Sequence, residues 1–358
     1  MSTNTPIVTE RWELASEEAR SALDQQLVVA FLGSSSAGKD AAIRALFGMD
    51  FGEVDPIPGS TDRLRVAAVD PQGRFLVVNA PGFGDLRDEV DAEASKALDA
   101  LDVAVYVLNA DGGATIDERR DLDRIRELGR PVLVCINKID LIRTHERDAF
   151  VKATLAQLDV DPSDAVVTAF DPLPALSPEP IGIDKVIGWL TRTLAEDGKE
   201  LMLAKHLRNK AEACEPLILA AAKKAAVAGA IPVPGADATA VTLVQVKLIA
   251  DIAAVFGRKL DRDVMLFLIG EALAGSTKGF VRWAVKALKS AGWVPGGQVV
   301  HIATSTLGAT IASAATWGVG KAAVTYMQQG DLTPDQFRHV FETAAQAYRL
   351  RQDVSRGE

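Results

Sequence analysis

Cysteine and histidine are scarce in this chain of 358 residues, with two of the first and four of the second. Cys135 and Cys214 stand far apart, which leaves no pattern for a disulfide framework or a zinc site. Positive charge is in short supply as well. The net charge of −9 argues against a dedicated nucleic-acid binder, whose footprint would be basic, so direct nucleic-acid contact is not expected. A hydrophobic leader is also missing: the stretch 1–26 is polar, with Glu10, Arg11, Glu13, Glu17 and Glu18, so it does not read as a secretory signal. A cytoplasmic start is the default. What remains is ordinary for a folded protein, with 48% hydrophobic and 24% charged residues, and the length suits two domains.

From residue 28 to 196 strand-like runs alternate with helical patterns. Strands are expected at 28–32, 64–69, 75–79, 103–108, 132–136 and 165–168, and helices at 88–101, 117–128, 146–158 and 184–194. Continuous aliphatic strands between helices predict a doubly wound, mainly parallel α/β sheet whose ligand sits at the strand C-terminal ends. From Leu201 onward strand alternation is nearly absent, and Ala, Val and Leu recur at helical spacing. The expected organisation is therefore a leading helix at 1–26, an α/β domain at 27–198 and a separate all-α domain at 199–358. Trp12, Leu14 and Leu23 are the expected buried stripe of the leading helix. Two helix–Pro-Gly–helix passages, around Ile231–Gly235 and Gly292–Gly296, hint at a weak internal duplication.

The chemistry is concentrated in Gly33-Ser34-Ser35-Ser36-Ala37-Gly38-Lys39-Asp40, which follows the apolar run 28–32. It matches the phosphate-binding loop G-x-x-x-x-G-K-[ST] everywhere but the last position. The glycines let backbone N–H groups close around a polyphosphate, the lysine reaches its terminal oxygens, and the following helix adds its positive dipole end. The last residue normally offers Mg²⁺ a hydroxyl, and that hydroxyl is lacking: Asp40 stands there.

Three further segments follow in order. Asn137-Lys138-Ile139-Asp140 closes the run 132–136 and matches N-K-x-D, in which the carboxylate accepts two hydrogen bonds from guanine N1 and N2. Adenine lacks that donor pair, and a buried charged acceptor left unpaired costs roughly 1–3 kcal/mol or more. Asn79-Ala80-Pro81-Gly82 resembles a D-x-x-G switch whose glycine N–H touches the γ-phosphate and whose aspartate, Asn79 here, steadies Mg²⁺ through a water. Thr61 is the expected sensor of γ-phosphate and metal. Thr168-Ala169-Phe170 is placed to cover the base. The carboxylates between Asp117 and Glu127 read as a solvated helix face, and Asp111, Gly112 and Gly113 as loop geometry.

In their order and spacing these motifs resemble the Era-like branch of small bacterial GTPases over residues 27–196. The C-terminal part, including Gly229–Asp237 and Gln245–Ile249, resembles the helical domain of unknown function attached to some of these proteins. The resemblance implies GTP/GDP as ligand, Mg²⁺ as cofactor and a GTPase switch. It implies Asp40, Thr61 and Asn79 around the metal, with Thr61 and Gly82 nearest the reacting phosphate. It further implies coupling through the helical domain to a protein partner, a second copy or a membrane.

Two residues depart from the family pattern. A neutral hydroxyl has become Asp40, and an anionic aspartate has become Asn79, so the formal charge around the metal is unchanged. Either Asp40 binds Mg²⁺ directly and Asn79 avoids excess charge, or Asp40 repels the phosphates and the domain is a non-hydrolysing pseudo-GTPase scaffold. A water-positioning side chain is lacking too, because Phe83 follows Gly82. Some relatives recruit potassium through an asparagine at the position of Ser36. These absences predict slow turnover.

Residues 299–319 carry no Asp, Glu, Lys or Arg, which is long enough for a bilayer crossing. His301, several hydroxyl residues and the small Gly308, Ala312, Ala315 and Gly318 suit a soluble bundle equally. Both a peripheral or inserted membrane location and a soluble one stay open at this point.

Overall fold

The computed structural model describes residues 5–50, 65–80, 99–230, 236–260, 262–275, 300–330 and 332–356. Two compact units emerge, one spanning Ala22–Glu212 and the other joining Met1–Ser21 to Ala213–Glu358.

The Ala22–Glu212 unit is built on a six-stranded sheet. Its strands are β1 (Leu27–Leu32), β2 (Arg65–Ala68), β3 (Phe75–Asn79), β4 (Val103–Asn109), β5 (Val132–Asn137) and β6 (Ala165–Val167). Their order is β2-β3-β1-β4-β5-β6, with only β2 antiparallel to its neighbour. Every residue of β1 is buried, as an aliphatic run covered on both faces should be. One face of the sheet meets Leu101, Leu122, Ile125, Leu155 and Leu158. On the other face, edge-on aromatic contacts run from Phe31 to Phe47 to Phe75. Burying each such side chain contributes roughly 1.5–3 kcal/mol.

The helices of this unit are α2 (Lys39–Phe47), α3 (Ile116–Glu127), α4 (Arg147–Leu158), α5 (Ile183–Leu194) and α6 (Glu200–His206). The expected helix at 88–101 lies almost wholly outside the described residues. The unit runs past residue 198, because the ring of His206 packs edge-on against Phe75 and Arg208 N–H donates to Leu46 O at 2.7 Å.

The other unit is helical: α1 (Thr5–Leu23), α7 (Lys210–Gly229), α8 (Ala236–Val255), α9 (Arg262–Gly275), α10 (Val300–Gln329) and α11 (Pro334–Arg356). In α1 the buried stripe is Val8, Trp12, Ala15 and Ala19, while Leu14 is exposed. Residues two apart on a helix cannot share a face, so Leu14 could not join Trp12. The small residues of α10 are used within the unit. A Cβ on Gly308 would lie 2.2 Å from Gly229 O of α7, and one on Gly320 would strike Ile218. Gly318 abuts Phe341 of α11 in the same way. Trp317 stacks on Tyr348 at 4.8 Å, with Lys321 over the indole. Among the described residues no helix is long and apolar enough to cross a membrane.

Candidate functional site

The loop after β1 owes its shape to its glycines. Gly33 has φ 135° and a Cβ there would sit 2.2 Å from Val107 O of β4. Gly38, at φ 99°, would place a Cβ 2.3 Å from Asn137 Nδ2. Both positions therefore exclude a side chain on two separate grounds. Ser36 between them is also left-handed, with φ 62°, and Ser35 and Ser36 are exposed at the tip. Ala37 is buried and its N–H donates to Ser34 O at 3.2 Å.

Lys39 opens α2 and turns back into this loop. Its Nζ donates to Gly33 O at 2.8 Å and to Ser34 O at 3.0 Å. Burial lowers its pKa from the ordinary lysine value to about 8, with the Asp40 carboxylate pulling the other way. An ammonium held in a partly dehydrated loop by two carbonyls is poised for an anion with stronger acceptors.

The two departures from the expected pattern meet in space. Asn79 ends β3, is almost fully buried, and donates from Nδ2 to Asp40 Oδ1 at 2.5 Å. Asn79 Oδ1 is buried without a hydrogen-bond partner, an arrangement that costs free energy unless a ligand completes it. A carboxylate beside an orphaned amide oxygen is a hard-oxygen donor set and fits Mg²⁺. Thr61 and Gly82 lie outside the described residues.

Where the base is expected, Asn137 holds three segments together. Its Nδ2 donates to Ala37 O at 2.8 Å, while its Oδ1 accepts from Thr168 Oγ1 at 3.3 Å and Phe170 N–H at 3.1 Å. One buried side chain thus ties the phosphate loop to the segment following β6. Lys138, at φ 60°, turns the chain into a single 3₁₀ turn, Ile139–Leu141. Asp140 on that turn is buried, and its Oδ2 accepts from Leu173 N–H at 3.2 Å. Thr168 and Ala169 are buried; the Thr168 N–H donates to Ile136 O and its O accepts from Ile139 N–H.

Three groups lie outside what the sequence pattern reveals. Glu118 and Asp121 of α3 are buried, not solvated. Glu118 forms a capping box with Thr115 and accepts from Ser34 Oγ at 3.4 Å. The Thr-x-x-Glu spacing of residues 115 to 118 carried that signal. Asp121 accepts from the Tyr106 hydroxyl at 3.2 Å, and its inward face follows from its position one turn before the buried Ile125. The Leu173 amide had no signal in side-chain identity.

Residues 28–138 match the family model described as 50S ribosome-binding GTPase. Residues 188–352 match that of a domain of unknown function. The chain thus joins a segment similar to P-loop GTPases to one similar to that domain. Among curated relatives, GTPase Der of Streptomyces coelicolor is 32% identical over 118 residues, covering 32% of this chain and 25% of that protein. GTPase Der of Clostridium perfringens is 25% identical over 132 residues, covering 35% and 30%. The chain thus spans only about a quarter to a third of the length of these relatives. Of solved structures, Aquifex aeolicus Era bound to GDP·AlF4⁻ is 17% identical with a TM-score of 0.31, over 50% of this chain and 68% of that one. Guanine-nucleotide binding is the shared property of this GTPase family.

Proposed function

We propose that this Era-like GTPase binds and slowly hydrolyses Mg²⁺-GTP with an exchanged metal pair, and that its helical domain relays the nucleotide state to a partner or a membrane surface. The observation that carries the metal part is the contact between Asp40 and Asn79. Two changes that conserve local charge are directly hydrogen-bonded, which is what mutual compensation requires. Asp40 and the orphaned Asn79 Oδ1 would hold Mg²⁺, which would supply positive charge to the phosphates when bound. Lys39 and the loop amides bind the phosphates. Asn137 braces the phosphate loop rather than facing the base with its Oδ1, and Asp140 selects guanine.

The reading of slow turnover rests on Phe83, which stands where a water-positioning glutamine would orient the nucleophile in other GTPases. The test is single-turnover hydrolysis by wild type, Asp40→Ser, Asn79→Asp and the double variant, with Mg²⁺ present. The expected result is non-additive: each single change slows hydrolysis, and the pair together restores it. If the wild type is inert and only the double variant hydrolyses GTP, the protein is a nucleotide-sensing scaffold instead.

A further inference from the structure

We infer that the main-chain amide of Leu173 is a positioning group for guanine selection, held by a stiff proline-rich strap that the segment 171–180 forms over the base end of the site. The inference rests on the guanine reading above and adds the group that orients its key carboxylate.

Asp140 Oδ2 accepts from Leu173 N–H at 3.2 Å, across 33 residues of sequence. That is the hydrogen bond the described structure gives this buried carboxylate. A carboxylate meeting guanine N1–H and N2–H must present both oxygens in one plane, and a carboxylate free to rotate loses part of that alignment. A fixed donor on Oδ2 leaves lone pairs on both oxygens for the base while setting their orientation.

The strap is built to hold that donor still. Residues Asp171-Pro172-Leu173-Pro174-Ala175-Leu176-Ser177-Pro178-Glu179-Pro180 place a proline at every second position at each end, each fixing one φ. Ala169 and Ile181 close the base of the loop with reciprocal backbone hydrogen bonds of 3.1 and 2.9 Å. Inside it, Leu173 O accepts from both Leu176 N–H and Ser177 N–H, at 2.8 and 3.0 Å. The Ser177 hydroxyl donates to Glu179 O at 2.7 Å. Meanwhile the side chains of Leu173 and Leu176 are exposed, at 57% and 52%. The backbone of residue 173 is pinned at both its N–H and its C=O, whereas its side chain meets solvent. This division is what a main-chain positioning role requires and what a packing role would not produce.

Residue 173 already precedes a proline, so its backbone is confined to extended conformations, and proline at 173 removes the donor with little further restriction. The experiment compares affinities for GDP and IDP, whose base lacks the 2-amino group, in wild type, Leu173→Pro and Leu173→Ala. Leu173→Ala keeps the amide and should match wild type for both ligands. Leu173→Pro should weaken GDP about tenfold, the scale of one hydrogen bond to a charged group, and IDP about twofold, so that the preference for GDP narrows. A second pair of changes, Pro172→Gly with Pro174→Gly, retains the amide but loosens the strap, and should narrow the same preference by a smaller factor. An unchanged GDP-to-IDP ratio in both altered straps overturns the inference and leaves guanine binding intact. Tighter GDP binding by Leu173→Pro overturns it too, by making the strap a competitor. A wild type that binds neither nucleotide overturns the guanine reading and this inference with it.

Discussion

The two ends of the proposed nucleotide crevice are built in different ways. At the end where the base is expected, one side chain, Asn137, links three segments, and the Asp140 carboxylate accepts from a backbone amide. The residues there match the expected N-K-x-D pattern. At the phosphate end the arrangement is electrostatic. The Lys39 ammonium is held by loop carbonyls, and the next residue, Asp40, accepts from Asn79, whose amide oxygen is orphaned; the residue types depart from the pattern at two places. On the proposed reading, a base site built on geometry would tolerate little exchange, whereas a metal site built on summed charge would tolerate an exchange made in pairs.

Removing the charged anchor of either end should have the largest effect. Lys39→Ala should weaken GTP and GDP binding about a hundredfold or more, since it deletes the charge-assisted contacts to phosphate. Asp140→Ala should lower guanine affinity by a similar order and abolish the preference over adenine nucleotides, read by competition binding. Equal loss of guanine and adenine nucleotides in Asp140→Ala would break the assignment of the two ends.

Next in size is Asn79→Asp alone. It places two carboxylates 2.5 Å apart where one donor now satisfies the other, so like-charge repulsion replaces a hydrogen bond. Folded stability without metal should drop by about 1–3 kcal/mol, and added Mg²⁺ should recover more stability than it does in wild type. Urea unfolding with metal and with chelator reads both numbers. Equal stability in the two conditions would mean that the pair does not face a metal.

The pH dependence separates the ends further. Lys39 has its pKa lowered to about 8 by burial in the ligand-free protein. A bound polyphosphate favours the ammonium and raises that value, so binding is fully supported below pH 8 and must take up a proton above it. Affinity should therefore fall as pH rises through 8, by up to about tenfold per unit. In folding the sign is opposite: the lowered value makes the buried ammonium a cost that is present below pH 8 and relieved as pH approaches 10.5. The GDP-to-IDP ratio, set at the base end, should stay flat over the same range.

The smallest effect is expected at Glu118→Gln. It weakens the capping box and the 3.4 Å contact to Ser34, at a cost of about 1 kcal/mol in stability and less than about threefold in nucleotide affinity. A larger loss of affinity would make α3 a direct part of the phosphate end.

Much of this was readable from residue order, for identifiable reasons. The strands of the Ala22–Glu212 unit are aliphatic runs with abrupt ends, so their positions match expectation within a residue or two, from β1 at Leu27–Leu32 to β6 at Ala165–Val167. The glycines of the phosphate loop were legible as loop formers, but the reason Gly38 has no side chain, the Asn137 amide against it, depends on contact across the sheet. Charge alone points Glu118 and Asp121 to solvent, whereas in the fold a capping residue and a tyrosine hydroxyl satisfy these buried carboxylates. The Leu173 amide was invisible, because every residue carries an N–H and only folding selects which one is used. In the helical unit the all-helical character is legible from apolar spacing, but the partners of Gly308, Gly318 and Gly320 emerge only from packing.

Titration calorimetry of GTP into the wild-type protein, run with Mg²⁺ and again with chelator, tests the central claim most directly. The account predicts clear binding with metal, weaker binding without it, and loss of most of that difference in Asp40→Ala. Heat absent under both conditions, or affinity indifferent to metal in the wild type, would contradict it.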